Sequence, residues 1–299
     1  MTLSAPSYIQ PVYRPPAEAN SVIFQVTNGC SWNKCTYCEM YTDPQKKFRA
    51  RPEAEALEEI ATVGRSPMSS EIKRVFLADG DAMVLSTKKL MTILKAIETH
   101  LPSVRRVGSY CIPKNVLKKS DQELKELQEA GLKIAYVGAE SGDDTVLRKI
   151  NKGESYATTA TGLLSLKRAS IKTSVMILNG IGGSLYSKDH AIHTANLVNE
   201  TQPELLASLV VSFPQGEERL KKEFPEFSML DTLGLIKEMK TFIEHTELER
   251  TIFRSNHASN YLELKGTLGK SKANLLKTID DVLSAPDQAN LKPEWMRGL

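Results

Sequence analysis

The sequence predicts an α/β protein: a partial, six-unit parallel β/α barrel followed by a mostly helical C-terminal extension. Three observations carry this. Short apolar, β-rich runs at residues 21–27, 74–78, 104–110, 133–139, 171–178 and 205–212 alternate with amphipathic stretches such as 53–63, 87–99, 121–130 and 188–199. The runs are continuously apolar, as strands buried on both faces of a parallel sheet are. The repeat runs over about two hundred residues, which favours a barrel or part of one, with an open doubly wound sheet as the other arrangement.

The elements justify themselves in order. Pro52 stands at the start of the first helix, where its missing N–H costs nothing. Ser120, Asp121, Gln122 and Glu123 supply an N-cap and early acids, and Gly131 follows the last apolar turn of that helix. After Pro214 the pattern changes: 217–224 and 230–245 read as helices, 250–254 as a short strand, and 270–283 as a last helix. The expected division is a core at 20–215 and an extension at 216–299 that covers the barrel mouth.

Composition sets the class. The chain has 299 residues, 41% hydrophobic and 25% charged, ordinary for a globular protein able to bury a normal core. A net charge of +3 is too small to argue for nucleic acid. No run of eighteen apolar residues occurs, and the opening MTLSAPSYIQPVYRPP lacks the pattern of a signal peptide, so no membrane association is expected. Three of the four cysteines, Cys30, Cys35 and Cys38, lie within nine residues, which suits a metal site in a reducing, cytoplasmic compartment better than a disulfide framework.

In parallel α/β folds function gathers beyond the carboxyl ends of the strands. Those ends read Asn28-Gly29-Cys30, Asp79-Gly80-Asp81, Ser109-Tyr110-Cys111, Glu140-Ser141-Gly142, Asn179-Gly180-Ile181-Gly182-Gly183 and Ser212-Phe213-Pro214-Gln215. The cysteines are spaced C-x4-C-x2-C; thiolates are soft ligands for iron–sulfur clusters or zinc. Structural zinc normally closes with four ligands, and the only other cysteine, Cys111, is remote. Three thiolates would leave one iron of a four-iron cluster open to a substrate. Zinc and three unrelated buried thiols are the competing readings.

With its cysteine triad after the first strand and Tyr37 before the third cysteine, the sequence resembles the radical S-adenosylmethionine (SAM) superfamily. The family spacing is C-x3-C-x2-C, so this chain carries one extra residue between Cys30 and Cys35. The run VFLADGDAMVL is similar to the second-strand segment, with Asp79-Gly80-Asp81 in place of the usual Gly-Gly-Glu. The run YVGAESGDDTVLRKINKG resembles the fourth-strand signature of the branch that holds methylthiotransferases, the Elongator catalytic subunit and oxygen-independent coproporphyrinogen oxidases.

The resemblance implies a [4Fe-4S] cluster on Cys30, Cys35 and Cys38, and SAM contacts from Tyr37, Asp79, Gly80, Asp81, Glu140, Ser141, Gly180 and Gly182. Asp81 is the acid expected to hold the SAM ammonium, and Glu140 the one expected to meet the ribose. Reductive cleavage of SAM would give a 5′-deoxyadenosyl radical that abstracts hydrogen from a substrate. A reductant such as flavodoxin or ferredoxin is the implied partner. The blander readings are helix caps for Asp79, Asp81 and Glu140, and a tight turn for the glycines.

Substrate contacts are expected from the run Phe253 to Tyr261, rich in side-chain donors, with His257 and Asn260 as the candidates for an unidentified substrate; the alternative is a structural cap. Lys46, Lys47, Arg49 and Arg51 read as solvated surface or as a meeting place for an acidic donor. Cys111 reads as a core residue. His100, His190, His193 and His245 show no ligand spacing. The alternative functions are an iron–sulfur electron-transfer or sensor protein, and an RNA-modifying member of the superfamily; a nucleic-acid partner has no appended domain to support it.

Overall fold

The computed structural model describes residues 6–298. Its α/β fold is built on a mostly parallel central sheet of eight strands, with a separate antiparallel ribbon of two. In chain order the strands and helices are β1 (Val22–Gln25), β2 (Thr27–Asn28), β3 (Arg49–Ala50), α1 (Glu53–Gly64), β4 (Arg74–Ala78), α2 (Thr87–His100), β5 (Arg106–Tyr110), α3 (Pro113–Val116), α4 (Asp121–Glu129) and β6 (Leu132–Glu140). Then come α5 (Asp144–Lys149), α6 (Tyr156–Arg168), β7 (Lys172–Asn179), α7 (Gly183–Thr201), β8 (Leu205–Val210), α8 (Glu218–Glu223), α9 (Thr232–His245), β9 (Ile252–Arg254), β10 (Lys265–Thr267) and α10 (Lys272–Ser284). The described chain divides into two compact units, one of residues 6–33, 38–137 and 161–173, the other of 34–37, 138–160 and 174–298.

In the first unit β1, β4, β5 and β6 pair in parallel, with Val22 opposite Val75, Arg74 opposite Arg106 and Gly108 opposite Ile134. Val75, Phe76, Leu77 and Ala78 of β4 are all fully buried, which is why that run shows no polar alternation. Helices α1 and α2 pack together, burying Ala56, Ile60 and Val63 from one and Leu90, Ile93, Leu94 and Ile97 from the other, the three- and four-residue spacing of a helical stripe. Ser86 caps α2 through Lys89 N–H, and Ser120 with Glu123 forms a capping box on α4. Within the unit Phe76, Tyr110 and Tyr136 meet edge to face. The Tyr136 hydroxyl donates to the buried Glu18 carboxylate at 2.5 Å, and Arg106 donates to the same oxygen at 2.6 Å.

In the second unit β7 and β8 pair in parallel from Ser174–Leu205 to Asn179–Val210, β8 pairs with β9 in parallel, and β10 returns antiparallel to β9. The extension therefore adds two strands to the sheet. The sequence reading anticipated β9 but not β10, whose three residues, Lys-Gly-Thr, carry no apolar signal. Helix α7 begins at Gly183, five residues before its expected start at 188, because the glycine turn leads straight into the helix. Phe213, Phe224, Phe227 and Tyr186 form an aromatic cluster over Val146, Leu147 and Ile150.

Helix α9 closes over the end of β7 through a buried acid. Glu238 Oε1 accepts the Gly180 N–H at 2.6 Å, and its Oε2 is buried without a hydrogen-bond partner. The Leu235 carbonyl accepts from Asn179 Nδ2 at 3.1 Å in the same seam. Burial pushes the Glu238 carboxyl up from 4.5 to about 7. The neighbouring His190, with Nε2 3.7 Å from Glu238, is pulled down to about 4 by its own burial and stays neutral. Between 4.5 and about 7 the native chain holds the Glu238 proton more tightly than the unfolded chain does, so stability falls as pH rises through that window. Glu238→Gln is expected to match the wild type at about pH 4, below the unfolded carboxyl's 4.5, and to exceed it by roughly 3 kcal/mol at about pH 8. Urea unfolding at the two pH values measures this; an unchanged pH dependence in the variant would remove Glu238 as its source.

Candidate functional site

The first unit holds the cysteine loop and the acids that follow β4. Cys30 and Cys38 are half-buried. Gly29 has φ of +71°, and a Cβ there would lie 2.1 Å from the Lys46 carbonyl oxygen, so only glycine lets the chain turn into the loop. Asp79 is fully buried, and its Oδ2 accepts from Lys46 Nζ at 2.7 Å, Gln25 Nε2 at 2.8 Å and Gly29 N–H at 2.8 Å. Gly80 N–H donates to the Gly29 carbonyl at 3.2 Å. Asp81 Oδ2 accepts from Ser31 Oγ at 2.6 Å and Asn115 Nδ2 at 2.5 Å, while Oδ1 accepts from Ile112 N–H at 3.2 Å. Burial raises the Asp81 carboxyl to about 6 against the pull of those three bonds.

The loop itself is tied down. Asn33 takes the left-handed conformation, φ +47°, and its Nδ2 donates to the Tyr41 carbonyl at 2.8 Å. Lys114 Nζ lies 3.6 Å from the centroid of the Trp32 ring. The basic stretch divides: Lys47 and Arg49 are exposed, as a solvated surface would be, but Lys46 and Arg51 turn to protein partners. Lys46 is fully buried against Asp79, and the Arg51 guanidinium binds Glu59 at 3.0 Å and Glu55 at 3.4 Å.

The second unit holds Cys35, Tyr37 and the end of β6. Glu140 has φ of +64°, a conformation that costs an ordinary residue on the order of 1–3 kcal/mol and clusters at functional sites. Its Oε1 accepts from Lys152 Nζ at 2.9 Å, and the same ammonium lies 3.4 Å from the Tyr37 hydroxyl. The Cys35 thiol faces the Lys152 carbonyl at 4.0 Å. Ser141 is fully buried; its Oγ meets His190 Nδ1 at 2.8 Å and accepts from Asp143 N–H at 2.9 Å. His193 pairs with Asp143 at 2.6 Å. Gly180 is held by Glu238, and Gly182 is the N-cap residue of α7.

The extension candidates lie in the loop between β9 and β10. Asn260 is buried, and its Nδ2 donates to the Ser208 carbonyl at 2.9 Å. His257 Nδ1 meets Ser259 Oγ at 2.9 Å, and Ser259 in turn accepts from Val210 N–H at 3.2 Å. A small, mainly apolar cavity at the ends of β7 and β8 is lined by Asn179, Val210, Leu235, Met239, Ser255 and Asn260, among others.

The sequence reading gave no role to Lys152, Asn115, Tyr41 or Glu238, and read Lys46 as surface or as a meeting place for an acidic donor. Lys46, Asn115 and Glu238 lie more than thirty positions from the groups they bond. Lys152 sits in the run YVGAESGDDTVLRKINKG, twelve positions from Glu140, but is meaningful only through that pair. The Tyr41 hydroxyl has no partner among the described residues to point to it. Asp79 and Asp81 were named, but as ligand contacts; in the structure most of their oxygens serve the loop.

Among the described residues no group of three or more His, Cys, Asp or Glu side chains is arranged to hold a metal ion. Two observations nonetheless suit a cluster and a polar cofactor. The donors available are thiols, the soft ligands of iron–sulfur chemistry. Each unit also holds buried polar atoms without a hydrogen-bond partner near its cysteines: Asn28 Oδ1, Tyr41 Oη, Asp79 Oδ1 and Asn115 Oδ1 on or beside the loop in the first, and Thr36 Oγ1, next to Cys35 in sequence, in the second.

The chain is 23% identical over 168 residues to the heme chaperone HemW of Bacillus subtilis, a match that covers 54% of this chain and 43% of that protein, less than two thirds of its length. Among solved structures it is similar to coproporphyrinogen III oxidase (HemN) from Escherichia coli, a radical SAM enzyme, with a TM-score of 0.53 and 14% identity over 72% of this chain and 50% of that one. Methylornithine synthase (PylB) aligns with a TM-score of 0.51 and 14% identity, over 76% of this chain and 63% of that one. The radical SAM methyltransferase TsrM from Kitasatospora setae, solved with cobalamin and a [4Fe-4S] cluster, aligns with a TM-score of 0.50 and 18% identity over 62% of this chain and 36% of that one. At these identities the structural likenesses speak for the fold. The profile of the Radical SAM superfamily matches residues 24–196, more than half of the sequence, and the chain belongs to that superfamily.

Proposed function

We propose that this chain is an enzyme that uses SAM as its radical source, with a [4Fe-4S] cluster on Cys30, Cys35 and Cys38. The observation that carries the reading is the thiol triad, three cysteines in nine residues inside the matched region 24–196. When bound, the reduced cluster supplies the electron that splits SAM into methionine and a 5′-deoxyadenosyl radical, which takes hydrogen from a substrate. A low-potential reductant such as flavodoxin or ferredoxin is the partner this requires. The reading extends to an unidentified substrate.

The chain's own residues bind and orient. Of the two acids after β4, Asp79 offers the open acceptor for the SAM ammonium, because its Oδ1 is buried without a hydrogen-bond partner. Asp81 has both oxygens engaged and acts by holding Ser31, next to Cys30. Glu140 is the acceptor for ribose hydroxyls, and Lys152 fixes its carboxylate in place. Tyr37 lies against the same ammonium. The space beside Gly80 is taken by the Tyr41 ring and that beside Gly180 and Gly182 by Leu235 and His190, so these glycines serve packing of the strand ends, and Ser141 orients His190.

The cluster is tested by metal content. Anaerobically purified protein is expected to carry about four irons per chain. Cys30→Ala, Cys35→Ala and Cys38→Ala are each expected to lose most of that iron and Cys111→Ala to keep it. Full retention in the first three would reject the triad.

SAM binding is tested on reconstituted protein by calorimetry. Glu140→Ala removes a charge-assisted acceptor worth roughly 1.5–3 kcal/mol, so affinity should fall about ten- to a hundredfold with iron content unchanged. Lys152→Met should weaken binding less, since it only frees the Glu140 side chain. Unchanged affinity in both would remove this pair from the site.

For the substrate, the loop between β9 and β10 gives a sharper division than its donor content suggests. Asn260→Ala leaves the Ser208 carbonyl unpaired and should cost about 1–3 kcal/mol of stability. His257→Ala should leave stability nearly unchanged and lower substrate turnover while uncoupled release of 5′-deoxyadenosine continues. Melting temperature and the two product assays on the same preparations check this; loss of stability alone in both variants would make the loop a cap.

A further inference from the structure

Among the described residues none accepts a hydrogen bond from the Tyr41 hydroxyl. The residue is 3% exposed, and its Oη is buried without a hydrogen-bond partner. A buried O–H without an acceptor is destabilising, so its presence points to a partner outside the polypeptide. The ring has little freedom to look for one. Tyr13 packs edge-on at 5.7 Å between centroids, and Lys46 Nζ sits 5.6 Å from the ring centroid. The Tyr41 carbonyl is fastened to Asn33 Nδ2 at 2.8 Å.

The third wall of the ring is Gly80, and it shows where the hydroxyl end lies. A Cβ on Gly80 would stand 2.7 Å from Tyr41 Cε2, 3.2 Å from Tyr41 Cζ and 3.1 Å from Cys30 Cβ. The carbon that bears the hydroxyl and the side chain of Cys30 therefore flank one point. Burial, followed by the nearby Asp79, Tyr110, Cys30 and Cys38, holds the phenol well above its usual 10, so it remains an O–H donor. Asp79 Oδ1 is likewise buried without a hydrogen-bond partner, so the two do not bond to each other.

We infer that Tyr41 donates its phenolic hydrogen bond to a sulfur on the Cys30 side of the iron–sulfur cluster and so helps set the cluster's reduction potential. The inference rests on the cluster assignment proposed above. A hydrogen bond to sulfur stabilises the reduced, more negative cluster and raises its potential. Tyr41 is thus a positioning and tuning residue, and Gly80 is the glycine that admits its ring.

The experiment compares the full chain and Tyr41→Phe, reconstituted anaerobically. Iron and sulfide per chain, the midpoint from a redox titration followed by electron paramagnetic resonance, and the melting temperature without cluster are all read. The variant is expected to hold the same iron, to show a more negative midpoint, and to melt without cluster at an unchanged or higher temperature. Equal midpoints overturn the inference and leave the cluster standing. A lower cluster-free melting temperature also overturns it, because the hydroxyl would then serve a protein or water partner such as Asp79. If the variant loses the cluster while its cluster-free melting is unchanged, the hydroxyl faces the cluster, as inferred. A wild type that binds no iron defeats the proposed function and this inference with it.

Discussion

The buried ion pair between Lys46 and Asp79 is the constraint on which the cysteine loop depends. One carboxylate oxygen at the end of β4 collects donors from three places: the Lys46 ammonium at 2.7 Å, Gln25 of β1 at 2.8 Å, and the Gly29 backbone at 2.8 Å. Lys46 and Gln25 reach on to the Ile9 carbonyl at 2.8 and 3.2 Å, so the N-terminal segment is fastened to the same point. Such a pair gains little over well-packed apolar residues, but losing one partner strands a charge and costs roughly 3–5 kcal/mol. It fixes position more than it adds stability. The loop that carries Cys30 leaves the sheet at a point held by several bonds rather than by chain stiffness.

The second unit uses the same device with different residues. The polar groups after β6 are consumed in pairs: Glu140 by Lys152, Ser141 by His190 and Asp143, Gly142 N–H by Thr194 Oγ1 at 2.9 Å. Most strand-end groups that look free in the sequence are occupied by protein partners. What remains without a hydrogen-bond partner is a short set of oxygens, and those near the cysteines are the ones that a bound group would have to satisfy.

The strands and most helices were legible because burial on both faces leaves continuous apolar runs and helix faces leave three- and four-residue spacings. The capping box at Ser120 was legible because its residues lie within one turn. What escaped is what depends on pairing across long separations. Lys46 sits in a run of basic residues, and only its distance from Asp79, thirty-three positions on, shows that it is internal. Lys152 acquires meaning from Glu140 across a helix. Strand β10 exists because β9 offers it an edge, not because Lys-Gly-Thr favours extension. For the candidate site, the motif residues were readable as a set, but which oxygen of Asp79 or Asp81 is open was not.

The extra residue between Cys30 and Cys35 follows from the same physics. An inserted residue in a loop either adds slack or is absorbed by a backbone conformation that shortens the path. Here Ser31 is bonded to Asp81, Trp32 lies beneath Lys114, and Asn33 takes the left-handed conformation that asparagine tolerates better than most residues. Its amide then bonds the Tyr41 carbonyl, past the last cysteine. Each spacer residue from Ser31 to Asn33 therefore has an anchor, and the longer spacing does not mean a looser loop. For this chain the count of residues between the cysteines is a poorer guide to the site than the anchors on either side of them.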